Sequence, residues 1–224
     1  MPGIPGQGGP DSSRWFRLFI VSFVTFVRFP LVLVFLTFAV INSQKPEPWL
    51  FAVALTSLIT AALTDLIDGY LARKFEVVTE LGAHADPLMD KFFYVSTLPL
   101  LVFVSAQHGN VGHSLFLLML TVLFLLRDLW VTFLRSIGSI YNETGGANWS
   151  GKLRTAINFP VICAIYHFEE APHNLIPSAL LYAGEIAALA VTILSIVIYT
   201  RRYAPSLKRS AHLKQKGQDG KTDG

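Results

Sequence analysis

No Asp, Glu, Lys or Arg occurs between Phe92 and Leu126. A run that long without an ionisable acid or base is incompatible with an ordinary water-soluble core, and only Gln107-His108-Gly109-Asn110 breaks it. A bilayer-crossing helix needs roughly 20 mostly apolar residues, so the run reads as two spans joined by a tight turn. The same reading carried along the chain gives six spans, near residues 20–42, 48–73, 83–106, 113–137, 153–169 and 175–200. The breaks carry turn chemistry: Asn42-Ser43-Gln44-Lys45-Pro46, Gly109-Asn110, Gly145-Gly146 and Pro172-His173-Asn174. The expected fold is an all-α, polytopic membrane bundle of six transmembrane helices, preceded by a surface-lying segment from Ser12 to Phe23. The first span is not read as a cleaved signal, because Arg28 and Pro30 interrupt it and no small-residue cleavage site follows.

Charge agrees with that division. Only 15% of residues are charged and the mean hydropathy is +0.49, against about 25% charge in soluble domains. Six spans put both termini on one side with the 2–3 and 4–5 connections. That side collects Arg14, Arg17, Arg73, Lys74, Lys152, Arg154, Arg201 and Arg202. Arg28, Lys91, Arg127 and Arg135 lie within spans, toward the same side, and Lys45 alone falls opposite. Lys and Arg mark the cytoplasmic face, so both termini are expected there. Residues 1–12 form a Gly/Pro-rich leader, 13–202 the membrane domain and 203–224 a basic cytoplasmic tail, with both ends expected to be unstructured. The single cysteine, Cys163, excludes an internal disulfide. No nucleic-acid partner is expected.

Ionisable groups at membrane depth are costly and default to function. Span two ends in Asp65-Leu66-Ile67-Asp68-Gly69, and span three begins Ala85-Asp86-Pro87-Leu88-Met89-Asp90-Lys91. Asp65 and Asp68 are three apart, Asp86 and Asp90 four apart, so each pair shares a helix face. The connection from Lys74 to Leu81 is short, so the helices are antiparallel neighbours and the four acids converge near one boundary. So many carboxylates stay ionised only with counter-charge. Hard divalent cations, Mg²⁺ or Mn²⁺, suit an oxygen-only donor set. Two such ions fit phosphoryl transfer, one at the attacking and one at the leaving oxygen. Gly69 and Gly82 open space where helices or a ligand approach. Pro87 is expected in the first turn of span three, where its missing N–H costs little. Two other readings compete. Ion pairs with Arg73, Lys74 and Lys91 would explain charges but not convergence. A cation or proton transporter would spread its acids along the membrane depth, whereas only Glu185 lies deep in another span.

The pattern Asp65-x2-Asp68-Gly69-x2-Ala72-Arg73-x8-Gly82-x3-Asp86-x3-Asp90 resembles the signature of the CDP-alcohol phosphotransferase family in all its fixed residues and spacings. That resemblance implies a membrane enzyme that attacks a CDP-linked lipid with an alcohol and releases CMP. By the same resemblance Asp65, Asp68 and Asp86 are ligands of a two-metal centre, and Asp90 is both a ligand and the general base. Gly69, Ala72 and Gly82 admit the nucleotide, Arg73 contacts the diphosphate, and Thr79 joins the CDP-lipid site or caps a helix. A homodimer is implied by resemblance alone.

For the acceptor, Asp86-Pro87-x2-Asp90-Lys91 is similar to the form common in phosphatidylglycerolphosphate synthases and CMP-forming cardiolipin synthases of that family. Arg127-Asp128…Leu134-Arg135, Gly151-Lys152-Leu153-Arg154-Thr155 and Thr25-x2-Arg28 resemble elements of the former. They imply CDP-diacylglycerol as donor and a small phosphorylated alcohol, glycerol 3-phosphate, as acceptor, held by Arg127, Arg135 and Lys152. Phosphatidylglycerol, giving cardiolipin, or inositol phosphate are the alternative acceptors. Ser22 in place of the usual Asn, and Asp128 in place of the usual Glu, depart from the pattern. His84 is read as a packing residue and Glu185 as a satisfied or protonated interior acid.

Overall fold

A computed structural model describes residues 12–75, 80–141 and 149–219 of the chain, with side chains described at 26–64, 88–141 and 153–210. Every regular element among them is helical: α1 (Ser12–Gln44), α2 (Pro48–Phe75), α3 (Glu80–Gln107), α4 (Val111–Ile140), α5 (Trp149–Glu170) and α6 (Ser178–Asp219). Each expected span falls on one helix. Three details differ. The lead-in from Ser12 and the first span are one continuous helix that runs through Pro30. The tail is not irregular, since α6 continues through Pro205 to Asp219. And α3 starts at Glu80, so Pro87 lies about two turns in rather than in the first turn; there it has no N–H to return to the carbonyl four residues back.

By length and composition, four helical stretches among the described residues are long and apolar enough to cross a membrane: Phe26–Gln44, Leu88–Gln107, Val111–Ile140 and Ser178–Ser210. Pro48–Thr64 is a shorter apolar stretch. Helix α5 is not among the four; it buries Arg154 and Asn158 and ends in Glu169 and Glu170. These are the marks of an integral membrane protein.

The chain divides into two compact units, residues 1–100 with 170–172, and residues 101–169 with 173–224. In the first, α1 and α2 pack against each other as a hairpin. The buried face of α1 is a single stripe, Arg28, Val32, Phe35, Ala39 and Asn42, repeating every three to four residues as a helix packed along one side requires. Asn42 closes the hairpin: its Oδ1 accepts from the Glu47 N–H at 3.1 Å and its Nδ2 donates to Glu170 Oε2. Near the turn Phe38 meets Trp49 edge to face.

The second unit is built on α4 and α6. The buried stripe of α4 is His113, Leu117, Leu120, Phe124, Arg127, Val131, Leu134 and Gly138. That of α6 is Leu181, Glu185, Ala188, Thr192, Ser195, Tyr199, Tyr203 and Ser206. Contacts advance together along both, from His113–Glu185 through Arg127–Ser195 to Arg135–Tyr199, so the helices run parallel. Arg154–Asp128 and Glu169–His113 set α5 antiparallel to α4. Gly109, at φ 73°, makes the turn into α4, a left-handed conformation that favours glycine. Asn110 caps α4 by accepting from the His113 N–H.

Candidate functional site

Asp65, Asp68, Gly69, Ala72 and Arg73 lie on α2, and Gly82, Asp86 and Asp90 on α3, one helix on either side of the connection at residues 76–79. Helical backbone at both pairs makes the spacings of three and four share a face, as the sequence requires. Thr79 lies outside the described residues, immediately before α3 begins. The side chains of Asp65, Asp68, Gly69, Ala72, Arg73, Gly82 and Asp86 also lie outside them. Among the described residues no group of three or more His, Cys, Asp or Glu is gathered to hold a metal; Asp90 is the one member of the acidic set whose side chain they include. The four aspartates of the motif offer carboxylate oxygen alone, the chemistry that a hard divalent ion takes.

Asp90 is held from α1. Arg28 Nη1 donates to Asp90 Oδ1 at 3.0 Å, with the arginine side chain 1% exposed and the aspartate side chain 45% exposed. Beside the pair, Phe29 stacks on Phe92 with ring centroids 4.7 Å apart. Sequence reasoning placed Arg28 on the basic side and gave it no role at the acids. The signal was there: an arginine inside an apolar span needs an anionic partner.

The basic residues of the second unit are organised around α4 and α6. Arg127 is buried, and its guanidinium is spent largely within the protein. Nε donates to Ser195 Oγ at 3.0 Å, Nη2 to the same oxygen, and Nη1 to Asp128 Oδ1 at 2.8 Å. Arg154 reaches the same Asp128 oxygen, so one carboxylate joins two guanidiniums. Arg135 is exposed and donates from Nη2 to Tyr199 Oη at 3.0 Å. Arg127 and Arg135 both lie over the Tyr199 ring, 5.3 and 5.4 Å from its centroid, within cation–π range. Tyr199 was missed because a tyrosine on an apolar stripe carries no motif. Lys152 is on the first turn of α5; its side chain is outside the described residues.

A third polar group was also missed as a unit. His113 Nδ1 lies 2.6 Å from Glu169 Oε1, Nε2 lies 2.8 Å from Glu185 Oε1, and Ser105 Oγ is 3.4 Å from Nδ1. All three ionisable side chains are at most 5% exposed. Glu185, read from the sequence as a satisfied or protonated interior acid, has a specific partner at Oε1 in His113, while its buried Oε2 has no hydrogen-bond partner among the described residues. His113 is fourteen residues from Arg127, about 21 Å along α4, so this group is remote from the arginines.

Residues 18–200 match the sequence model of the CDP-alcohol phosphatidyltransferase family. The chain belongs to that family.

Its relatives narrow the chemistry. A CDP-diacylglycerol–glycerol-3-phosphate 3-phosphatidyltransferase of Pseudomonas fluorescens is 29% identical over 84% of this chain and 92% of its own. A probable phosphatidylglycerophosphate synthase of Mycobacterium tuberculosis is 34% identical over 62% of this chain and 61% of its own. A CMP-forming cardiolipin synthase of Oryza sativa is 30% identical over 69% of this chain, which spans about half the rice protein, 49%. The protein is therefore a transferase of phospholipid biosynthesis that works in a membrane. As a CDP-alcohol phosphatidyltransferase it takes a CDP-alcohol and an alcohol acceptor.

Proposed function

We infer that the chain transfers the phosphatidyl group of CDP-diacylglycerol to glycerol 3-phosphate and releases CMP, at a two-metal carboxylate centre on the cytoplasmic side of a six-span homodimer subunit. The observation that carries this reading is the likeness, over 84% of the chain, to a glycerol-3-phosphate 3-phosphatidyltransferase. The complete four-aspartate motif on α2 and α3 supports it.

In this reading Asp65, Asp68, Asp86 and Asp90 hold two Mg²⁺ or Mn²⁺ ions. Bound there, the ions supply charge stabilisation at the diphosphate and make the acceptor hydroxyl more acidic. Asp90 takes that hydroxyl's proton. The acceptor oxygen forms its bond to the lipid-side phosphorus, and the bond from that phosphorus to the CMP oxygen breaks with its electron pair leaving on CMP. Arg73 presents a planar fork to the diphosphate. Gly69, Ala72 and Gly82, with Thr79, leave the nucleotide room. Arg135 and Lys152 contact the acceptor phosphate. Arg127 keeps the two donors its internal partners leave over, and fixes α6 beside Arg135. The acyl chains stay in the bilayer while the diphosphate and the soluble acceptor meet at its boundary.

The test supplies purified enzyme with CDP-diacylglycerol and Mg²⁺, and offers glycerol 3-phosphate, phosphatidylglycerol, inositol phosphate and free glycerol in parallel. CMP and the lipid product are followed. Phosphatidylglycerolphosphate from glycerol 3-phosphate is the expected product. Cardiolipin from phosphatidylglycerol, with glycerol 3-phosphate ignored, transfers the assignment to the second reading, which the rice relative and Asp128 favour.

A further inference from the structure

We propose that the exposed basic face of α6, carried by Arg201, Lys208 and Arg209, is a binding surface for the headgroups of anionic phospholipids in the leaflet at the C-terminal end of that helix. Between Glu185 and Asp219 the chain has no acidic residue, while Arg201, Arg202, Lys208, Arg209, Lys214 and Lys216 all fall there. A solvated helix usually intersperses both signs and gains pairs three and four residues apart. Here one sign stands alone, and like charges so close repel each other unless an anion meets them. Lys208 and Arg209 follow Arg201 by seven and eight positions, about two turns, so the three share a face. All three are exposed, and none makes a hydrogen bond or ion pair among the described residues.

Packing fixes where that face lies. Tyr199, Tyr203 and Ser206 are buried on the other side of α6, where the two tyrosines and Leu207 pack with Val131 and Leu134 of α4, so the helix cannot turn its cations inward. Residues 180–200 rise about 30 Å, the thickness of a hydrocarbon core. The end of that stretch carries the mark of an interface. Trp130 Nε1 donates to Thr200 Oγ1 at 2.8 Å, and Phe133 lies beside the indole with ring centroids 5.5 Å apart. Tryptophan concentrates where hydrocarbon gives way to headgroups. Arg201 is the next residue, and Lys208 and Arg209 lie about 11 Å further along the axis. Helical side chains tilt toward the helix N-terminus, which for α6 is the bilayer, so these two long side chains start back toward the lipid phosphates. The headgroup layer is roughly 5–7 Å deep and the Debye length about 8 Å at physiological salt, so all three charges act on it. A soluble acidic partner has no need of cations that begin at the membrane boundary and lean toward it; a lipid phosphate does.

The experiment reconstitutes the full chain in phosphatidylcholine vesicles that hold spin-labelled phosphatidylglycerol or spin-labelled phosphatidylcholine, and reads the protein-associated fraction by electron paramagnetic resonance. At low salt the wild type is expected to favour phosphatidylglycerol by about fivefold or more, the effect of a single cation near the surface. Most of that preference should vanish in about 0.5 M NaCl. The variant Arg201→Gln with Lys208→Gln and Arg209→Gln should lower the low-salt preference by about threefold or more. Arg202 is left in place, because its guanidinium leans over the Tyr203 ring, 5.9 Å from the centroid. A charge-retaining variant, Arg201→Lys with Lys208→Arg and Arg209→Lys, should keep the preference. Wild-type preference in the triple Gln variant overturns the proposal and makes the face a solvated one. So does a loss of equal size in the charge-retaining variant, since charge would then not be what the lipid meets. Displacement of the labelled phosphatidylglycerol by millimolar inorganic phosphate at constant ionic strength also overturns it, because it marks a free-anion site. If the triple Gln variant does not fold, Lys208→Gln with Arg209→Gln decides: an unchanged preference overturns the proposal and a loss of about twofold or more supports it.

Discussion

Arg28, Arg127 and Glu185 are ionisable groups on helices that otherwise read as lipid-soluble, and each has found a partner on another helix. The physics is common to them: an unpaired charge in hydrocarbon is costly, so the residue persists only where packing supplies its complement. What differs is the use. For the acids of α2 and α3, the proposed use of the charge is to hold metal ions. Asp65→Asn, Asp68→Asn or Asp86→Asn should each abolish CMP release while the protein still inserts and elutes as a folded species, because an amide is a poor ligand for a hard divalent ion. Activity should disappear in excess chelator and return with Mg²⁺ or Mn²⁺; turnover that persists in chelator would remove the metal argument. For His113 the charge network is structural. Two carboxylates at its two ring nitrogens are matched when the ring carries both N–H groups. His113→Ala leaves Glu169 and Glu185 facing each other without the imidazole, and should lower unfolding stability by about 3 kcal/mol. Glu185→Gln keeps an acceptor oxygen and should cost clearly less. Denaturation in detergent compares the two, and equal losses would contradict the assignment of His113 as the hub.

At the scale of elements, α4 and α6 show how a parallel pair is locked in register. Gly138 faces Tyr203 so closely that a Cβ there would overlap the ring at Cε1. Tyr203 in turn lies parallel to Tyr199, 6.5 Å away, and Tyr199 carries the two arginines. Small residues let helices approach in a membrane, where the driving force is packing rather than expulsion of water. Gly138→Ala must push the Tyr203 ring aside. It should cost about 1–3 kcal/mol and raise KM for glycerol 3-phosphate through displacement of Arg135, with KM for CDP-diacylglycerol little changed. Tyr203→Ala in the same chain should recover much of the KM. A Gly138→Ala variant with wild-type stability and KM would show that the ring yields without cost.

At the scale of the whole molecule, the testable property is sidedness. Lys45 and Arg201 belong to opposite membrane faces if the chain crosses six times with both termini cytoplasmic. Lys45→Cys and Arg201→Cys, each made with Cys163→Ser so that the native thiol is silent, should be labelled by an impermeant maleimide from opposite sides of sealed vesicles. Labelling from the same side would require an even number of crossings between them and would revise the span count, with α5, the most polar of the helices between those positions, the first to re-examine.

Much of this protein was fixed by local chemistry. The charge-free run, the turn residues at Gly109-Asn110 and the spacing of the four aspartates depend only on neighbours in the chain. They led directly to six helices, to the helix pair that carries the acids and to the family. Helix boundaries were less legible: α1 runs through Pro30 and α6 through Pro205, because packing along a helix offsets the loss of one backbone hydrogen bond. Partners were not legible at all. Nothing at residue 28 indicates residue 90, nor does 113 indicate 169 and 185, since separations of 56 to 72 positions are bridged only when helices pack. A sequence shows that a buried charge must be satisfied; the tertiary structure alone decides which group satisfies it, because that choice depends on the register and rotation of one helix against another.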